Sequence, residues 1–125
     1  MKQIIEIPII LNRVRVEGTY ASREIDMVLD TGAVYTAISW DVAKDIGYDP
    51  AVSAERVPII TANGVIEVPK IKVNAISFKE LSAKDIDVIC HDVPEIAEIG
   101  GLIGLSFLKH FSVSLDFRNR LLEIT

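Results

Sequence analysis

Met27-Val28-Leu29-Asp30-Thr31-Gly32-Ala33 is the stretch on which the fold turns: three apolar residues run straight into an acid, a hydroxyl, a glycine and a small residue. Upstream, Ile25, Met27 and Leu29 occupy alternate positions, the period-two pattern of a strand with one buried face, so Asp30 stands where that strand ends and the chain turns. Functional side chains concentrate on loops held by a rigid scaffold. An Asp-Thr-Gly triplet is short and therefore weak evidence alone, and its plainest meaning is a loop carboxylate accepting backbone N–H groups. Its company along the chain carries the argument.

Towards the N-terminus, Ile5, Ile7, Ile9 and Leu11 alternate with Glu6, Pro8, Ile10 and Asn12, and Val14 and Val16 follow. The pattern predicts a hairpin turning at Asn12-Arg13, with a second break from Gly18 to Arg23. Towards the C-terminus, Ser39 is placed to cap a short helix over Trp40 to Ile46, with Asp41 near its positive end and Gly47 at the stopping position. Val57 to Pro69 is two β-branched arms about Asn63-Gly64, the strongest short-range hairpin signal, with the Asn-Gly pair supplying the left-handed turn. Strands are expected at Lys70 to Phe78 and Ile86 to His91, then an acidic connection from Pro94 to Ile99 with room for a helical turn. Gly100-Gly101-Leu102-Ile103-Gly104-Leu105 reads as a short apolar strand, Ser106 to His110 as a helical turn, and Ser112 to Phe117 with Leu121 to Ile124 as a closing pair about Arg118-Asn119-Arg120. The sum is an all-β chain with one or two short helices.

At 125 residues, half of them hydrophobic and a quarter charged, the chain is expected to form a single domain over residues 1–125 around one core. A net charge of -5 and no Lys/Arg stripe argue against nucleic acid as a partner. No run reaches the length of a membrane span, and Glu6 and Pro8 interrupt any signal-like apolar stretch, so no membrane partner and a soluble, unsecreted chain are expected. The lone Cys90 cannot form an internal disulfide and sits in the alternating run Ile86, Val88, Cys90, as a buried small hydrophobe does, which fits a reducing cytoplasm. Cys90-His91-Asp92 offers metal-ligand chemistry only superficially, because neighbouring strand residues face opposite sides. No metal or cofactor is expected. His110 reads as a helix-end cation and Asp116, with no glycine after it, as a turn residue.

With its order along the chain, the set Met27 to Ala33, the hairpin around Thr61-Ala62-Asn63-Gly64, and Leu102-Ile103-Gly104 resembles the catalytic loop, flap and second ψ-loop strand of retropepsin-like aspartic proteases. The resemblance covers roughly Ile5 to Ile124 and is nearer to cellular and prokaryotic members than to viral ones, through Gly101 to Leu108 and Val113 to Phe117. Leu105-Ser106 stands where viral members have a familiar Arg-Asn pair, and Val34 replaces a small polar residue, which implies a more apolar pocket nearby.

The resemblance implies an acid-protease-like closed β-barrel half with a flap hairpin. It also implies an aspartic endopeptidase with Asp30 as catalytic carboxylate, Thr31, Gly32 and Ala33 as its loop, and Thr61 to Gly64 as a flap over an extended peptide. Val34, Ile60, Ile66 and Ile103 are assigned to side-chain pockets, with Leu102, Ile103 and Gly104 in the ψ-loop. Peptide hydrolysis by carboxylates needs two of them sharing one proton. One triplet per chain therefore implies a homodimer, the second Asp30 coming from a symmetry mate. The competing expectations keep the fold and drop the chemistry: a retropepsin-like peptide-binding module with little or no hydrolysis, or a structural dimerisation domain. The phosphate loop of a sugar-kinase-like ATPase fails on length, since it needs a two-lobed chain.

Overall fold

The computed structural model describes residues 1–92 and 99–125, so the acidic connection expected from Pro94 to Ile99 falls, apart from Ile99, outside the described residues. Strands β1 (Lys2–Ile4), β2 (Ile10–Glu17), β3 (Ser22–Leu29) and β4 (Thr36–Ile38) precede helix α1 (Trp40–Asp45) and a 3-10 turn at Pro50–Val52. Strands β5 (Glu55–Thr61), β6 (Gly64–Phe78), β7 (Leu81–Cys90) and β8 (Ile99–Ile103) follow, then helix α2 (Leu105–Leu108) and strands β9 (Val113–Asp116) and β10 (Leu121–Ile124). Among the described residues the chain is all-β with two short α-helices, as expected.

The larger sheet has the order β2-β3-β8-β4-β7-β6-β5, and an additional β2–β6 pairing closes its first six strands into a barrel. β5 is left outside the ring, and among the described residues its strand pairing is with β6 alone. Inside lies the main core: Leu11, Val14, Met27, Ile38, Ile76, Phe78, Ile86, Ile103 and Phe107 are essentially inaccessible. Each such side chain stabilises the fold by about 1.5–3 kcal/mol through removal from water. A second small cluster, Ala37, Val68 and Ile89, packs on the opposite face of the same sheet with Tyr35, Val57, Ile59 and Leu102. β1, β10 and β9 form a separate three-stranded sheet that ties the two ends of the chain together.

The helix expectation holds closely: Ser39 accepts from the Val42 amide at 3.2 Å, and Gly47 follows the helix with φ of 107°. The expected N-terminal hairpin does not form. β2 runs through Asn12-Arg13 as one strand against β3, its register slipping between Leu11 and Val14 so that three steps on β2 face two on β3. That is a β-bulge. Arg13 adopts φ of 59°, and its amide and guanidinium are taken up by Asp26 (3.1 Å) and Glu24 (3.1 Å) across the pair. The extra residue lets both Leu11 and Val14, of opposite parity, face the core. Nor are Ile5 to Ile9 a strand: Ile5 and Ile9 are buried but Ile4 and Ile7 are each 78% exposed.

β7 starts at Leu81, earlier than the expected Ile86, because Lys79-Glu80 makes a tight turn with Phe78 opposite Leu81. Lys79 takes φ of 54° there without a Gly or Asn to announce it. The β5–β6 hairpin forms, but Thr61 pairs with Gly64, so its two central residues are Ala62-Asn63. Gly64, with φ of 114°, follows the turn, and Asn63 stays in ordinary backbone space.

Candidate active site

β8 lies between β3 and β4, parallel to the first and antiparallel to the second. The chain therefore leaves β3 at Leu29, loops through Asp30 to Tyr35, and returns as β4 on the other side of β8. Hydrogen bonds bind this loop to the end of β8 and to the first residues of α2. The Asp30 amide donates to Ile103 O at 2.9 Å, and Leu105 and Ser106 amides donate to Ala33 O (2.8 Å) and Val34 O (3.0 Å). Gly104 makes the crossing possible, since a Cβ there would stand 2.4 Å from Tyr35 O and 2.7 Å from Ala33 O.

Asp30 is half-buried at the loop's start. The Ala33 amide donates to its carbonyl at 3.2 Å, and the Gly32 amide donates to its Oδ1 at 2.9 Å. A carboxylate accepting a backbone N–H is what the bland interpretation of this residue requires, and it also fixes the orientation a reacting carboxylate needs. A Cβ on Gly32 would lie 3.3 Å from that same oxygen. Thr31 and Gly32 are exposed.

Below the loop the buried Thr36 bridges the structure. Its amide donates to Ser106 Oγ at 2.8 Å and its Oγ1 accepts the Gly104 amide at 3.1 Å. Ser106, which stands in place of the viral Asn, is thus spent within the chain as an anchor for the loop. The signal for this pair was present as two small hydroxyl residues inside apolar runs, but nothing in sequence joins positions so far apart.

A cleft of about 530 Å³ opens beside the loop. Gly32 to Tyr35 form one wall, Pro58 to Thr61 of β5 form another, and Ala37, Ile89, Leu102 and His91 complete the lining. Of the residues singled out from sequence, Gly32, Ala33, Val34, Ile60, Thr61 and Leu102 meet here. Ala62, Asn63 and Gly64 form the exposed hairpin tip, outside that lining. Ile66 pairs with Ile59 across the hairpin and does not reach the cleft, while Ile103 is fully buried in the main core. The reason is alternation: Leu102 faces the cleft, so its neighbour Ile103 faces the core. Tyr35, Ala37, Pro58, Ile59, Ile89 and His91 join the lining without having been expected there. The same alternation predicts the last two, since Val88 and Cys90 point into the main core and their neighbours must face the other way.

Cys90 is buried, and burial pushes its thiol up to about 12. Asp116 accepts from the Asn119 side chain (2.8 Å) and amide (3.0 Å), which hold its carboxyl below the usual range and make it a turn residue.

Residues 16–110 match the sequence profile of the family described as "gag-polyprotein putative aspartyl protease". An uncharacterised protein in the cobV 5′ region of a Sinorhizobium species is 30% identical over 92 residues, 74% of this chain. The chain spans only 39% of that relative's length. The crystal structure of a retropepsin-like aspartic protease from Rickettsia conorii superposes with a TM-score of 0.73 at 22% identity, covering 98% of this chain and 86% of that one. That likeness is one of fold.

Proposed function

The chain belongs to the gag-polyprotein aspartyl protease family, and we propose that it acts as a homodimeric aspartic endopeptidase in which the Asp30 carboxylates of two copies share one proton and activate water. The observation that carries this proposal is the position of Asp30, at the start of a loop bonded to Ile103 of β8 and to the first residues of α2, whose next residues, Gly32 to Tyr35, wall a cleft together with a projecting hairpin. One carboxylate takes a proton from water while the other donates to the scissile carbonyl, and like charges about 3 Å apart do not both ionise. The pair titrates as a unit. Thr31, exposed beside Asp30, is assigned to cross-dimer hydrogen bonding that keeps the carboxylates coplanar. The β5–β6 hairpin acts as the flap, and an extended peptide is gripped by main-chain pairing with alternate side chains in the apolar cleft.

Apolar exposure supports contact with a second copy. Val34 (65%) and Leu105 (43%) are exposed on the Asp30 loop and on the segment bonded to it. On the terminal sheet, Ile4 lies opposite Leu121 on the outer face, with Phe117 exposed nearby in the chain. The cytoplasm is the assigned compartment, on the strength of the unpaired buried Cys90.

Sedimentation with peptide-cleavage assays tests the proposal. A dimer is expected at micromolar concentration, with mildly acidic cleavage abolished in Asp30→Asn while folding and dimerisation persist. A strict monomer at high concentration, or equal turnover in the variant, overturns the shared-dyad mechanism. Peptide binding without cleavage by the wild type leaves the binding module as the correct description.

A further inference from the structure

His91 is joined to the fold at a defined place. Its amide donates to Ile38 O at 2.9 Å, extending the β4–β7 pairing one residue past Cys90. It lies two positions after Ile89, on the cleft side of the sheet, while Cys90 between them faces the main core. The imidazole is half-buried in the same cleft that takes in Val34, Ile60 and Leu102.

The chemistry of that lining is one-sided. Among the described residues it holds no carboxylate, and its titratable side chains are Tyr35 and His91. Lys70, opposite Ile89 on β6, is a cation on the same side of the sheet, but its ammonium is already paired with Glu55 at 2.8 Å. An imidazole donates from one ring nitrogen when neutral and from both when protonated. In an apolar surround a charged acceptor gains most from such a donor, and a cationic side chain gains nothing.

We propose that His91 is a specificity-determining residue that selects a peptide carrying an Asp or Glu side chain in the subsite floored by Ala37, Ile89 and Leu102. The inference rests on the protease proposal only for its substrate class, a peptide lying extended in the cleft. Alternate residues of such a peptide face one side, so a single acidic position within the bound stretch is enough to engage the imidazole.

The test uses the full chain and a peptide set in which one position at a time is Glu, Gln, Leu or Lys. Binding is measured on Asp30→Asn by fluorescence anisotropy, and cleavage on the chain with Asp30 intact. At one position Glu is expected to bind about tenfold more tightly than Gln, with Lys weakest, as befits one charge-assisted hydrogen bond. His91→Gln should reduce that Glu-to-Gln ratio below about twofold, and His91→Lys should restore it. An unchanged ratio in His91→Gln, or no acidic preference at any position, overturns the inference. Cleavage without acidic preference removes His91 and leaves the protease proposal standing. An acidic preference lost in His91→Gln, with no cleavage by the wild type, supports the inference and overturns the protease proposal.

Discussion

Thr36 and Ser106, 70 residues apart, share a buried hydrogen bond of 2.8 Å from amide to hydroxyl, and the Thr36 hydroxyl in turn accepts the Gly104 amide at 3.1 Å. Among the described residues no buried side-chain polar atom is left unpartnered. Ser106→Ala strands the Thr36 amide in the interior, and an unsatisfied buried donor costs about 1–3 kcal/mol. Urea denaturation should show this loss. Thr36→Val should cost a similar amount, and the double variant less than the two together, because both remove parts of one network. Strict additivity would show that the two bonds act independently.

Gly104 and Gly64 separate two reasons for keeping a glycine. A Cβ at Gly104 would meet backbone oxygens at 2.4 and 2.7 Å, where nothing can swing aside. At Gly64 nothing lies within 4 Å, and the obstacle is only φ of 114°. Gly64→Ala should therefore cost about 1–2 kcal/mol of left-handed strain, while Gly104→Ala costs about 3 kcal/mol or more through overpacking. Thermal unfolding of the two variants gives the order. The reverse order would mean that β8 moves freely between β3 and β4.

Much of this was legible in sequence, where local chemistry decides structure. Ser39 and Gly47 bracket α1, and Ile25, Met27 and Leu29 announce β3 and deliver Asp30 to its end. What stayed hidden depends on partners distant in the chain. Asn12-Arg13 has turn composition, yet it becomes a bulge because Asp26 and Glu24 across β3 satisfy it. Ile103 and Leu102 are equally apolar, and only the placement of β8 between two strands decides which one faces the core and which the cleft. The alternation that keeps Cys90, His91 and Asp92 from converging on a metal also puts His91 on the cleft side, away from Cys90 in the core.

The Glu55–Lys70 pair, 2.8 Å apart across the β5–β6 hairpin, should give the hairpin a two-sided pH dependence. The Lys70 side chain, hydrogen-bonded to Glu55, lowers the Glu55 pKa, and the same bond raises that of Lys70. A lowered carboxyl pKa stabilises above the unfolded value of about 4.3 and is lost as pH falls through the folded value; a raised ammonium pKa stabilises below about 10.4 and is lost as pH rises through the folded value. Glu55→Gln should therefore lower the Tm slightly at pH 7, and the difference should shrink as pH falls below the unfolded carboxyl value. Raising salt should shrink the difference at pH 7, since the pair is exposed on one side. A difference that does not shrink as pH falls would assign the effect to packing of the side chain and not to its charge.

Cys90 should behave as a reporter of barrel opening. The thiol is raised to about 12 by burial in the main core, with Ile38 beside it in the β4–β7 register. The thiolate is the reactive form, so native protein at pH 8 should resist alkylation over hours while the same protein in denaturant labels fully within minutes. Labelling in dilute urea then follows the equilibrium between closed and open barrel, and its dependence on urea should match the global unfolding slope. A much shallower slope would locate local opening at the β4–β7 seam. The substitution pair Cys90→Ala and Cys90→Ser sharpens the point. Alanine removes only a sulfur's worth of packing, whereas serine also buries a hydroxyl in an apolar surround, at a further cost of about 1–3 kcal/mol unless it finds an acceptor. Serine should therefore be the worse of the two, and equal stability would show that the strand end at Cys90 admits water or a backbone acceptor to the thiol's position.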